Sequence, residues 1–571
     1  MNNWFNDLFP GPIDVPKDLR SGAYQQIDDV YNTKQHQQKN NNNNNNNNRD
    51  KNDEDYESNI YQEIHAQETD RILRIADSFD DNDQHLYYKK FSFSYYHNTA
   101  TKPYFLNPFI IQNLAITLSF VDVGIAMYLL QIPVGYYLIY NLNASSQQYS
   151  SYSTLVNLPW SLKFIFGMIS DGFPILGYRR KSWLGIGWII FVLICSYLSL
   201  MGEPGIYMTT IMMFILTCAY LLSDVCSDTL CVERARFETE SERGTLQTSG
   251  YTSRAFGSVI GSILGAILYN KTSWGWGLTI AQIFGLSALI PLTGVLPSLW
   301  NLEELASSRP APTIKEQFQD IWATLKLKAV WRPLSFIFTY YVMQIPNQAW
   351  TNFLVIGLGF TDFDIGLLTV ASTVFLWVGM IIYKRYFFNT SWRQVYIWTT
   401  ALGAIFSFLQ ILLILGINRK LGIPDVVFAI GDTGIVYLIY AIQSMPSSIM
   451  FIMICPEGSE GITYALLTTI GNLAWTVACA LGSFMTTIWD VSNDTLANGD
   501  YNGMLKLTLL TSFLQIVPLS LVFLLPDSKE EQIKLRDAGV SSKIGGICLA
   551  LVVSISLIGT IALSLYGVMF G

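Results

Sequence analysis

The sequence predicts an all-α membrane protein, with two groups of six spanning helices and one further span at the C-terminal end. Three observations carry that prediction. The 571 residues are 51% hydrophobic and 14% charged, whereas soluble domains run to about a quarter charged. Apolar segments recur with turn-like breaks, each near the ~20 residues a helix needs to cross the hydrocarbon core. Basic residues concentrate in alternate loops, as expected when those loops stay in the cytosol.

Taken in order, residues 1–103 are polar and include the unbroken run Asn40–Asn48. Such a stretch cannot bury enough apolar surface to order itself, and it reads as a disordered cytosolic tail. It shows no basic start and apolar core of a secretory signal, so the first span is expected to direct insertion. Spans follow near 108–140, 150–170, 183–201, 206–230, 248–269 and 274–298, then a polar segment, then 332–357, 363–387, 392–416, 427–454, 461–488 and 503–525, and a last span at 545–570. The expected divisions are a six-helix bundle over 104–300, a cytosolic linker over 301–331, a second bundle over 332–526, and a linker with the thirteenth span over 527–571.

With both ends of the twelve-helix body in the cytosol, inside loops carry fourteen basic residues, Arg179 to Lys181, Arg234, Arg236, Arg243, Arg309, Lys315, Lys326, Lys328, Arg332, Lys384, Arg385 and Arg393. Outside loops carry three: Lys271, Arg419 and Lys420. The sequons at Asn143, Asn270 and Asn493 then fall outside. No transit peptide is evident, which makes the plasma membrane the expected location, with an internal membrane as the alternative.

Several functions are excluded. A net charge of −8 offers no basic patch for nucleic acid. All four histidines, at 36, 65, 85 and 97, precede the first span, and none of the seven cysteines forms a Cys-x-x-Cys pair. No haem, zinc or histidine relay can be built inside the membrane, and no cofactor is expected. A phosphate-binding loop is also missing, which excludes an ATP-driven pump. The composition points to a transporter rather than an enzyme.

Ionisable residues inside spans are costly, about 2.5–3.5 kcal/mol each on insertion scales, and so mark function. Candidates for substrate or proton binding are Asp122, Lys163, Asp224, Asp228 and Arg254. Asp224 and Asp228 lie four apart and share a helix face. They can share a proton or pair with a cation that holds helices together. Arg254 can receive a carboxylate bidentately, or be the partner of Asp171, Asp224 or Asp228. Lys163 can bind an anion, and the favoured reading is that it snorkels toward the cytosol. Asp122, mid-span, is read as a substrate or proton contact. Gln344 and Gln348 are expected on one helix face beside Asn347 and Pro346, lining the pathway or bridging helices. Gly257, Gly261 and Gly265, and Gly471, Ala474, Ala478 and Gly482, form small-residue stripes that permit close helix packing.

The loop after the second span reads Gly167-Met-Ile-Ser-Asp171-Gly-Phe-Pro-Ile-Leu-Gly177-Tyr-Arg179-Arg180-Lys181. It resembles the signature loop of the major facilitator superfamily. A gating role is expected for Gly167, Asp171, Gly177, Arg179 and Arg180. With the preceding Leu158-Pro-Trp160-Ser-Leu-Lys163, the later Cys231-Val-Glu233-Arg234-Ala-Arg236 and Ser253-Arg254-Ala-Phe-Gly257, and Cys455-Pro-Glu-Gly-Ser-Glu-Gly461-Ile-Thr-Tyr, the chain resembles the folate–biopterin transporter family over roughly residues 104–526. The resemblance implies a major-facilitator fold and transport of a folate or pterin, with protons as partner. A transporter of another small organic metabolite, or a membrane sensor that transports nothing, stands as the alternative.

Overall fold

A computed structural model describes residues 106–570 apart from 143, 145, 240, 270–274, 305–310 and 456–459. The N-terminal tail, the four histidines and the sequons at Asn143 and Asn270 lie outside the described residues. Among the described residues, eleven helices are long and apolar enough to cross a membrane.

The helices used below are α1 (Leu114–Tyr136), α2 (Ser146–Ser161), α3 (Lys163–Gly172), α4 (Lys181–Met201), α5 (Ile206–Ala235), α6 (Thr245–Leu268), α7 (Ile280–Thr293), α8 (Ile314–Leu325), α9 (Lys328–Met343), α10 (Asp362–Ile382), α11 (Trp392–Ile414), α12 (Asp425–Ile454), α13 (Glu460–Met485), α14 (Asn502–Leu514), α15 (Lys529–Asp537) and α16 (Lys543–Phe570).

Two of the thirteen expected spans are absent from those eleven, because each is split into shorter helices. The second is broken at Leu162, between α2 and α3, three residues after Pro159. Pro159 lies within the last turn of α2 and deprives it of one N–H donor. The seventh ends at Met343, and the chain resumes a helical path only at Trp350. Pro346 lies in that gap. The expectation that Gln344 and Gln348 share a helix face therefore fails: Gln344 is the residue that ends α9, and Gln348 lies beyond the break. The polar linker also contains structure. Thr313 and Glu316 form a capping box that starts α8.

Packing explains the glycine stripes. α1 and α6 approach so closely that a Cβ on Gly257 would meet the Val121 carbonyl oxygen at 2.1 Å, and one on Gly124 the Arg254 carbonyl oxygen at 2.1 Å. The same device joins α10 to α12, where a Cβ on Gly379 would meet the Leu438 carbonyl oxygen at 2.6 Å. One apolar core is built from residues between Ala115 and Leu302, with Phe120, Trp188 and Phe284 at its centre. A second, around Phe336, Tyr340 and Tyr396, draws mainly on residues after Leu325 but also takes in Val232 and Ala235 from the end of α5. A third surrounds Phe353, Leu413 and Met504. α16 packs against α2 as well as α9 and α13, and its start is tied down where Ser542 N–H donates to the Lys326 carbonyl at 2.8 Å.

Candidate functional site

Four charged side chains meet between α3, α5 and α6. The break at Leu162 makes Lys163 the first residue of α3. Its ammonium lies 2.7 Å from Asp224 Oδ2 and 2.7 Å from Asp228 Oδ2. Arg254 Nη2 approaches Asp224 Oδ1 at 2.9 Å and Asp228 Oδ1 at 3.8 Å, and Gln247 Nε2 donates to Asp228 Oδ1 at 2.7 Å. Two cations balance two anions, the condition under which a buried charge cluster is tolerated. Lys163 is only 2% exposed, so it does not snorkel: attraction to two carboxylates outweighs reaching for water. Of the readings weighed for Arg254, Asp224 and Asp228, the structure displays the pairing one.

Aromatic rings enclose the cluster. The Arg254 guanidinium lies 4.6 Å from the Tyr251 ring centroid and 5.3 Å from that of Phe120, and Lys163 Nζ lies 5.8 Å from that of Trp160. The hydroxyls of Tyr251 and Tyr464 are hydrogen-bonded at 2.9 Å, which links the cluster to α13. Arg254 is the accessible member, with 18% of its side chain exposed against 3% or less for the other three. Its Nε is itself buried and has no hydrogen-bond acceptor among the described residues.

The signature loop forms a second assembly at the end of the helices that carries the basic loops. Asp171 pairs with Arg180 and accepts the Ile462 N–H at 2.6 Å, in the first turn of α13, where a helix favours a negative charge. Arg180 Nε reaches Glu233 at 3.0 Å and its Nη1 donates to Ser170 Oγ at 2.9 Å. Arg236 and Glu460 pair at 2.6 Å. A Cβ on Gly167 would stand 2.6 Å from the Gly461 carbonyl oxygen, so glycine at both positions lets α3 and α13 touch. Gly177 has φ +79 and turns the loop back. Arg179 donates its backbone N–H to Glu304 Oε1 at 2.6 Å, while Glu304 Oε2 takes the N–H groups of Arg180 and Lys181 at 3.1 and 2.9 Å. Glu304 thus caps α4.

The remaining candidates lie apart from both assemblies. Asp122, in α1, is 4% exposed, and its Oδ2 has no hydrogen-bond partner. Gln348 lines a cavity of about 650 Å³ with Asn352, Thr486, Trp489, Asp490 and Asn493; Gln344 is not among its lining residues.

Sequence reasoning missed Gln247, Tyr251 and Tyr464 in the cluster, and Glu233, Arg236, Glu304 and Glu460 around the loop. Glu233, Arg236 and Glu460 stand in the very stretches that carried the family resemblance. Their charges at helix ends were a signal, but partners distant in sequence could not be assigned. Asp432 was missed as well: it is buried, accepts from Gln410 Nε2 at 2.8 Å, and leaves Oδ1 unpartnered.

Comparison with known proteins agrees with the motifs. The model of the BT1 family matches residues 123–543. The chain is 27% identical to a folate-biopterin transporter of Synechocystis over 69% of its own length and 78% of that protein. It is 25% identical to folate transporter 1 of Plasmodium falciparum, over 66% and 72% of the two chains. It is 21% identical to probable folate-biopterin transporter 2 of Arabidopsis thaliana, over 74% and 84%. A family match across most of the chain, bracketing the Lys163–Asp224–Asp228–Arg254 cluster and the Asp171–Arg180 loop, shows that the chain belongs to the BT1 family, the folate–biopterin transporters.

Proposed function

We propose that the protein is a secondary active transporter of folate- or pterin-type substrates, driven by protons and working by alternating access. Residues 104–300 and 332–526 act as two six-helix halves, 301–331 is the linker on the cytosolic side, and 527–571 adds the thirteenth span. The basic-loop end faces the cytosol. The observation that carries this reading is the neutral, buried cluster with one accessible cation, Arg254.

A substrate carboxylate is attracted to the Arg254 guanidinium, the most exposed charge of the cluster at 18%. It competes there with Asp224, held at 2.9 Å. The ring of Tyr251 beside the guanidinium offers a face on which a flat heterocycle stacks. Loosening Arg254 disturbs the Tyr251–Tyr464 bond at 2.9 Å, and with it a contact between the two halves. The Asp171–Arg180 pair and the Arg236–Glu460 pair hold the cytosolic side together and must part for the substrate to leave.

The test is uptake of labelled folate and of labelled biopterin into vesicles containing the purified full chain, with and without an inward proton gradient. Accumulation that rises with the gradient supports the reading. Uptake no greater than in protein-free vesicles, across several folates and pterins, overturns the substrate class. Uptake indifferent to the gradient overturns proton coupling alone.

A further inference from the structure

The charge cluster is fully paired, yet a proton-driven transporter needs a group that is free to change its proton. Asp122 is that kind of group. It makes no ion pair or hydrogen bond among the described residues, and its Oδ2 is buried with no partner. It opens on a cavity of about 10 Å³, room for one water-sized occupant and far too small for an organic substrate. The walls include Ile125, Trp188, Phe191, Ser287 and Pro291.

Pro291 lies inside α7 and has no N–H to give the carbonyl of Ser287, four residues earlier. The polar side chains of the lining are Asp122, Ser287, whose hydroxyl donates to the Ile283 carbonyl, and Trp188, whose indole N–H donates to Ser119. A dehydrated hard cation takes about six oxygens, which this pocket does not supply. An ionised carboxylate with no partner among apolar groups is costly, and a proton removes that cost without further ligands.

The surroundings connect this pocket to the cluster. Ser119, one turn before Asp122 on α1, accepts from Ser227 Oγ at 2.9 Å and from Trp188 Nε1 at 3.1 Å. Ser227 stands on α5 between Asp224 and Asp228. Two residues after Asp122, Gly124 packs on the carbonyl of Arg254. Of the titratable groups on the elements around Asp122, Arg254 and Tyr251 on α6 and Asp224 and Asp228 on α5 are engaged in the cluster; α5 also carries Glu233 and Arg234 at its far end, with Tyr207, Tyr220, Cys218, Cys226 and Cys231. α4 carries Lys181, Cys195 and Tyr197, while α7 and the segment Val295–Asn301 carry none.

We infer that Asp122 is a proton-binding site distinct from the ion-pair cluster, and that the Ser119–Ser227 pair and the α1–α6 contact couple its protonation to Arg254. Proton binding forms one O–H bond on the carboxylate and releases nothing else. Only the coupling step rests on the transport reading.

The test uses the full chain in lipid vesicles. Infrared spectra across a pH series should show a protonated-carboxyl band that is lost in Asp122→Asn, shifted in Asp122→Glu, retained in Asp432→Asn and unmoved by sodium. With a substrate that the protein carries, Asp122→Asn should lose gradient-driven accumulation yet keep counterflow exchange. The band without uptake of any substrate by the unaltered protein supports the proton site and overturns the transport reading instead. No band lost in both Asp122→Asn and Asp122→Glu, a band that sodium abolishes at fixed pH, or full gradient-driven accumulation by Asp122→Asn overturns the inference.

Discussion

Replacing Lys163 by methionine isolates what the cluster costs and contributes. Methionine keeps most of the lysine's length and fills the same space, so the change is one of charge rather than volume. Lys163 is the cation bonded to both carboxylates, at 2.7 Å each. Without it, Asp224 keeps Arg254 at 2.9 Å, while Asp228 keeps only Gln247 at 2.7 Å and a distant Arg254 at 3.8 Å. One uncompensated negative charge then sits on side chains that are 1% exposed or less. Removing one partner of a buried pair costs about 3–5 kcal/mol. Asp228→Asn added to Lys163→Met restores neutrality and should recover most of that loss, a coupling of about 2 kcal/mol or more in a double-mutant cycle. Unfolding free energies of the purified protein in mixed micelles, for the four members of the cycle, measure this. A single mutant within about 1 kcal/mol of the unaltered protein, or additive effects in the cycle, would refute the reasoning.

Four further outcomes are expected. Gly167→Val forces α3 off the Gly461 carbonyl, which a Cβ would approach to 2.6 Å; thiol labelling of Cys455, at the end of α12, should then quicken. Gly257→Ala drives a methyl to 2.1 Å from the Val121 carbonyl oxygen and should cost about 1–3 kcal/mol or more, whereas Gly205→Ala, with nothing within 4 Å, should cost nothing measurable by thermal stability. Glu238, in the loop between α5 and α6, accepts the Gly244 and Leu246 N–H groups, yet burial pushes its carboxyl from 4.5 up to about 7. Its folded form holds the proton more tightly than the unfolded chain does, so stability is greatest below 4.5 and falls as pH rises to about 7; Glu238→Gln should flatten that slope in pH-dependent unfolding. Arg254→Ala should depress folate uptake more than uptake of biopterin, which lacks a glutamate tail, and equal loss of both would leave Arg254 a purely structural role.

Much of the site was visible as residue types. A carboxylate pair at four-residue spacing on α5, a lysine beside a proline and an arginine at the start of a span were each conspicuous, because charge inside an apolar segment is expensive. What could not be read was who partners whom. The sequence places Lys163 beside Pro159 and Trp160 and leaves it able to reach water or an anion. The break at Leu162 begins a new helix there and puts the ammonium against α5. Gln344 and Gln348 were separated by the same kind of event at Pro346: a proline in an apolar stretch warns of a break but does not say where the chain resumes. Glu304 could not be assigned to α4, 125 residues earlier, since capping across such a distance leaves no local pattern.

Hydrophobic length, loop charge and the motif stretches determined that this chain is a multi-pass member of its family, and they do so because exclusion of charge from hydrocarbon acts on each segment by itself. Pairing was decided only by the folded chain. Whether a buried Asp meets a lysine, as Asp224 and Asp228 do, or finds no ion-pair or hydrogen-bond partner among the described residues, as Asp122 does, depends on helix breaks, on glycines that let α1 touch α6, and on contacts between residues far apart in sequence.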